Sequence, residues 1–169
     1  LVGSCATRPA TAAGGEVRTC NGHAALCDRP LNEVAFGATH NAMSGYEDWL
    51  FVQHEAPIGQ QLRDGVRALL IDAYYGRAAG GRVLTELTDE QRRAAAREIG
   101  PAGAEAALRV RDALLAGGAA EGRRGVYLCH GFCEVGARPL VDWLREVTEF
   151  LVTHPDAVVL IVVQDEGPT

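Results

Sequence analysis

Nowhere in the 169 residues is there an apolar run of the roughly 18 to 20 residues that a membrane span requires, so no spanning segment is expected. There is no block of lysines or arginines, and the formal charge is −6. Affinity for a phosphate backbone comes mostly from clustered cations, so nucleic acid is excluded as an expected partner. Methionine occurs once, at Met43, and the first residue is Leu1, which reads as a processed or cut product. The last residues, Glu166-Gly167-Pro168-Thr169, follow an apolar segment directly and read as a chain that continues. What is present is 47% hydrophobic and 22% charged residues of both signs, the profile of one globular domain.

Five cysteines form two local pairs, Cys20 with Cys27 and Cys129 with Cys133, plus Cys5. Short-range pairs of this kind read as small disulfide loops made in an oxidising compartment. Reduced buried thiols are a second reading, and a zinc site from Cys129, His130 and Cys133 is a third, although the compact two-pair zinc spacing is absent. Leu1-Val2-Gly3-Ser4-Cys5 resembles the tail of a bacterial lipoprotein signal, with Cys5 as the acylated residue; a plain secretory remnant is the alternative. Either places the protein outside the cytoplasm, secreted or lipid-anchored. Residues 1–18, rich in Thr, Ala, Gly and Pro, are expected to be a disordered tether, with the folded part running over 19–169.

Periodicity predicts strands over Leu31–Ala38, Val66–Tyr74, Val126–Cys129 and Ala157–Val163. Between them lie helices over Pro57–Asp64, over Thr88 to about Ile99 with capping-box chemistry, over Ala102–Ala116, and over Pro139–His154. Gly100-Pro101 breaks the second from the third. Ala107, Leu108, Val110, Leu114 and Leu115 are expected to face a core, as are Leu140, Trp143, Leu144, Val147, Phe150 and Leu151. This alternation predicts α/β architecture with parallel strands and right-handed crossovers. The expected fold is a (β/α)8 TIM-barrel type with only about the first four βα units present in this chain, since whole barrels take about 250 residues. An open four-stranded α/β sheet is the competing architecture.

In parallel α/β folds the reactive groups gather beyond the carboxyl ends of the strands. His40-Asn41 follows the first predicted strand, Asp72 sits at the end of the second, His130 follows the third, and Gln164-Asp165-Glu166 follows the fourth. Two imidazoles that titrate near neutrality, with an acidic partner, are the chemistry of phosphodiester cleavage, where one group removes a proton and another supplies one.

These residues carry a resemblance. Ala38-Thr39-His40-Asn41-Ala42-Met43-Ser44, the run Gln60 to Asp72, Leu128-Cys129-His130-Gly131, and the apolar strand ending in Gln164-Asp165 resemble the amino-terminal half of the phosphatidylinositol-specific phospholipase C X-domain family of barrel phosphodiesterases. The resemblance runs from about Cys20 to the end. It implies His40 as general base and His130 as the acid that protonates the leaving alcohol, with Asp72 as their carboxylate partner. It implies either calcium, held by Asn41 and Asp72 with Gln164 or Asp165, or no cofactor, with another cation then needed over the phosphate, and a phospholipid head-group phosphodiester as substrate, met at a membrane surface. Calcium takes about six to eight oxygens. The chain departs from the pattern at Leu70, where many members keep a second carboxylate, and at Gln164, where a glutamate often ends the strand. Both departures remove negative charge. The metal-independent members carry an arginine where Asp72 stands.

Arg67 has two readings, a buried structural cation or a clamp on the substrate phosphate. His23, His54 and His154 are expected to do no chemistry, and Trp49 to line the mouth of the site. Two other functions fit the same residues: a glycerophosphodiester or sphingolipid phosphodiesterase that uses water, and a catalytically decayed barrel that serves as a binding or surface protein.

Overall fold

The computed structural model describes residues 17–115 and 122–166. Cys5 and nearly all of the expected tether lie outside the described residues, as does the Gly117-Gly118 end of the third predicted helix.

The fold is organised by one long strand, β2 (Ala68–Ala79), against which β1 (Ala38–Thr39), β3 (Arg82–Thr85), β4 (Arg123–Leu128) and β6 (Leu160–Asp165) pair. A short β5 (Arg138–Pro139) extends the sheet from β4. The result is a mixed α/β fold with a curled, half-barrel sheet. β2 alternates Leu69, Ile71 and Ala73, all buried, with Leu70, Asp72 and Tyr74 on its other face. The first set belongs to a hydrophobic cluster with Ile58 and Leu62 of α1 (Ile58–Arg63) and Trp143, Val147 and Phe150 of α3 (Leu140–Thr153). Trp143, Val147 and Phe150 recur at helical spacing, so α3 presents one apolar stripe to the sheet. Leu144, expected inside, is exposed because it lies about 100° further round the helix than Trp143.

The helices α1 and α3 match expectation to within a residue or two. Pro57 is the N-cap of α1, and Gly65, at φ 100°, turns the chain out of it into β2. Thr88 caps α2 (Asp89–Leu114) with the full reciprocal box, its hydroxyl accepting from Gln91 N while the Gln91 side chain accepts from Thr88 N. Gly100 leaves helical geometry at φ 77°, just ahead of Pro101, so α2 is two helical segments across a kink.

Three expectations are corrected. Leu31–Ala38 is not a strand; a 3-10 turn occupies Leu31–Glu33 and only Ala38–Thr39 pairs with β2. The strand containing Val126 is antiparallel to β2, not parallel, because β2 runs on past Asp72 into a hairpin with β3 that periodicity did not show. The second half of α2 buries none of its residues and leaves Val110 exposed, so it does not pack on a core as a sheet-covering crossover would.

Both local cysteine pairs are disulfides, with Cα–Cα distances of 5.1 Å for Cys20–Cys27 and 5.0 Å for Cys129–Cys133. Cys129 and Cys133 therefore offer no thiolates for a zinc site. Two disulfides fit an oxidising, extracytoplasmic environment. No helix among the described residues is long and apolar enough to cross a membrane. The Cys20–Cys27 loop is fastened to the approach to β6: Asn21 exchanges hydrogen bonds with Val158, and Asp156 accepts from Thr19 Oγ1 and Gly22 N. Those two bonds hold the Asp156 carboxyl below its usual pKa.

Candidate functional site

Each edge of a strand exposes the peptide groups of alternate residues. Arg67 O and Ala73 O accept from the β6 side, and Tyr75 O accepts from Glu86 at the end of β3, so β6 and β3 share the odd-numbered edge of β2. Leu70 O accepts from Ala42, just past β1, so β1 lies on the even-numbered edge. β4 pairs with residues 73–78, where β3 already takes the odd edge, which leaves it the edge used by β1. β1 and β4 therefore approach along one edge of β2 from opposite directions. Their ends pair at Leu69 and Ala73, four residues or about 13 Å apart, with Asp72 in the interval. The His40-Asn41 and His130 loops emerge at these two ends.

The His40, Asp72 and His130 segments therefore meet at one junction, though not through the all-parallel arrangement expected. Three strands, β1, β2 and β6, are parallel and deliver polar residues as expected; β4 delivers His130 to the same place while running the other way.

His130 Nδ1 lies 2.9 Å from Asp72 Oδ2. Asp72 is buried, whereas the His130 side chain is 53% exposed. A carboxylate accepts, so Nδ1 carries the proton and Nε2 is the ring atom presented to solvent and to a reactant. The His130 loop is closed by the Cys129–Cys133 disulfide and turns at Gly131, φ 72°. It is fixed from behind by Glu134, which is 1% exposed and accepts from Thr85 N at 3.0 Å and Thr85 Oγ1 at 2.6 Å. Thr85 Oγ1 in turn accepts from Cys133 N at 2.8 Å. Neither Glu134 nor Thr85 was marked by the sequence, since nothing in the pattern distinguishes a buried acid from a loop acid.

The His40 loop is held as firmly. Thr39 Oγ1 donates to Gln61 Oε1 at 2.8 Å, and the buried Gln61 amide donates to Ala42 O and Ala56 O. Asn41 takes φ 52°, and its Nδ2 donates to Gln53. Ser44 Oγ donates to Asn41 O. Gly45 leaves no room for a side chain, since a Cβ would stand 2.0 Å from Ala56 O. His54, expected to be idle, donates from Nε2 to His40 O at 2.7 Å and so ties the loop carrying Gln53 to the His40 backbone. The His40 ring is exposed and makes no hydrogen bond with any described residue.

Gln164 pairs in register with Asp72 and shares its face of the sheet. Asp165 pairs with Ala73 and points to the opposite face, so β6 does not bring it to Asp72. Glu166 returns to the Asp72 face, and Gln164 Nε2 donates to it. Arg67 lies before β2, five residues from Asp72; its guanidinium donates to Leu62 O, Val66 O and Asn21 Oδ1 and sits 4.9 Å over the Phe150 ring. That is the structural reading, not the phosphate clamp. Trp49 is buried, its ring facing Gly136 closely enough that a Cβ there would fall 2.6 Å from it, so it supports the His130 side of the site instead of lining its mouth. His154 stacks on Phe150 at 4.1 Å, and His23 is exposed in the first disulfide loop.

Asp72, His130, Gln164 and Glu166 open onto a cavity of about 400 Å³ whose far wall is α2. Tyr74 also lines it; burial, and next the charges of Glu166 and Asp72, push its phenol up to about 12.

Calcium can be tested against these donors. Asn41 Oδ1 is buried without a partner, which suits a cation. Leu70 offers no oxygen, Asp165 faces away, and one oxygen of Asp72 holds His130, which leaves Asn41 Oδ1, the second Asp72 oxygen and the Gln164 amide oxygen, whose nitrogen donates to Glu166. These three oxygens by themselves fall short of the six to eight of a calcium shell.

The fold and site define a mixed α/β half-barrel with a histidine–aspartate pair at a strand junction. No known family model, no curated protein and no solved structure matches the chain.

Proposed function

We propose that this protein is an extracytoplasmic phosphoric diester hydrolase or lyase of the phosphatidylinositol phospholipase C-like type, acting by paired-histidine acid/base catalysis on a phospholipid or related head-group phosphodiester. The observation that carries this reading is the His130–Asp72 pair at 2.9 Å, set opposite the His40 loop on one edge of β2. On this reading the chain is the amino-terminal part of a TIM-barrel-type enzyme, anchored to or released at the cell surface according to whether Cys5 is acylated.

The mechanism follows from the tautomer. With Nδ1–H directed to the Asp72 carboxylate, His130 presents Nε2, which when protonated donates to the leaving alcohol. Asp72 stabilises the imidazolium and fixes the ring plane. His40, whose ring makes no hydrogen bond with any described residue, removes the proton from the attacking hydroxyl. An attacking hydroxyl within the substrate gives a cyclic phosphate; water gives an open monoester.

The test is incubation of the complete natural protein and its His40→Ala and His130→Ala forms with phosphodiester substrates, followed by phosphorus NMR. Turnover lowered by orders of magnitude in both variants supports the reading, and the NMR product distinguishes the intramolecular route from the water route. Near-wild-type turnover in either variant overturns the assignment. A wild-type protein that cleaves none of them points to the binding role instead.

A further inference from the structure

The cavity in front of His130 has a charge problem for the substrate just proposed. A phosphodiester is a monoanion, yet Asp72, Glu98 and Glu166 all line the space it would enter. An anion does not enter such a field without a fixed countercharge. A countercharge held by the protein itself is a cationic side chain. Among the described lining residues the only arginine is Arg92.

We propose that Arg92 of α2 is the phosphate-binding residue of this site, its guanidinium pairing with the non-bridging oxygens of the phosphodiester opposite His130. The identity of the anion rests on the phosphodiesterase reading; the placement of the cation does not. Arg92 follows Gln91, whose side chain donates to Glu166 O at 2.6 Å. That bond pins the first turn of α2 to the end of β6, two residues past Gln164, which is in register with Asp72. The backbone of Arg92 is thus one residue from a fixed point on the site's rim.

The guanidinium itself is uncommitted: it makes no ion pair or hydrogen bond with any described residue, unlike Arg67, Arg82, Arg111, Arg124 and Arg138. A cation in the first turn of a helix opposes the helix dipole, so the position contributes nothing to α2 on that account. Bound to phosphate, the same residue gains the forked, charge-assisted donor geometry. Apart from Gln91 and Glu98, the rest of the α2 wall is apolar: Ala94, Ala95, Ile99, Ala104, Ala107 and Leu108.

Inorganic phosphate binding to the complete natural protein, measured by calorimetry with EDTA present, tests this without requiring turnover. Arg92→Gln should weaken binding by about 10- to 100-fold, the loss of one charge-assisted pair. Arg92→Lys should recover part of it, and Arg93→Gln, one residue on and outside the cavity lining, should bind as wild type. Arg92 is exposed, so unchanged melting curves are expected for all three. Phosphate binding that is absent in the wild type, or equal in Arg92→Gln and wild type, overturns the proposal. Arg92-dependent binding in a protein that cleaves no phosphodiester supports the clamp and overturns the hydrolase reading instead.

Discussion

Replacing Asp72 by Asn is the sharpest probe of the histidine pair, because it removes one charge while keeping the shape of a buried side chain. Two unit charges 2.9 Å apart attract by about 6 kcal/mol at an effective dielectric of about 20. His130 is half exposed, and solvent screening reduces this by half or more. The expected loss is therefore about 2 to 3 kcal/mol of transition-state stabilisation, or roughly 30- to 150-fold in kcat. The penalty should depend on the leaving group. An alkyl alcohol needs a proton from His130, whereas p-nitrophenolate leaves well without one. Steady-state rates on a matched pair of phosphodiesters should show the full loss for the alkyl substrate and a much smaller one for the nitrophenyl substrate. His130→Ala should show the same ordering, more strongly. Equal losses on both substrates would refute the acid role of His130, and a change below threefold on the alkyl substrate would refute the coupling to Asp72.

Gly45→Ala should destabilise the fold by about 3 kcal/mol or more, since the added Cβ meets backbone and not a movable side chain; urea unfolding measures it. Glu134→Ala should cost about 3 to 5 kcal/mol, because it strands Thr85 N and its hydroxyl in a buried site and leaves Arg111, at 3.8 Å, without its buried partner. Activity should fall further than stability explains, as the His130 loop loses its backing. In alkali, the raised pKa of Tyr74 means that the unfolded state ionises first, so stability is intact below about pH 10 and declines up to about 12. The shift is equivalent to about 2 to 3 kcal/mol, and Tyr74→Phe should flatten that part of the pH–stability curve.

Much of the candidate site's placement was legible because strand ends are punctuated by residue type. Thr39-His40-Asn41, Ile71-Asp72 and Cys129-His130 each end or interrupt an apolar run, and all three reach the junction. Strand direction was not legible. Val126 to Cys129 reads identically whether it runs with β2 or against it, because a period of two has no sense of direction. The β2–β3 hairpin was hidden by its own composition: Gly76-Arg77-Ala78-Ala79-Gly80-Gly81 lacks the β-branched and aromatic residues that signal a strand. For α2, the capping box and the Gly100-Pro101 break could be read directly, since both are local backbone chemistry. What α2 covers could not, because its alanines and leucines suit a cavity wall as well as a core. Arg67 shows the same limit from the other side: only the carbonyls gathered round its guanidinium mark it as structural.

Because β2 is shared, the distance between the two histidine loops is set by a single strand's pairing and not by the docking of separate parts. A slip of one residue in β2 would turn Asp72 to the opposite face and move both loops off their marks at once. On the phosphodiesterase reading, misregistered molecules would then be inert instead of partly active, so specific activity would count the correctly paired fraction of a preparation directly.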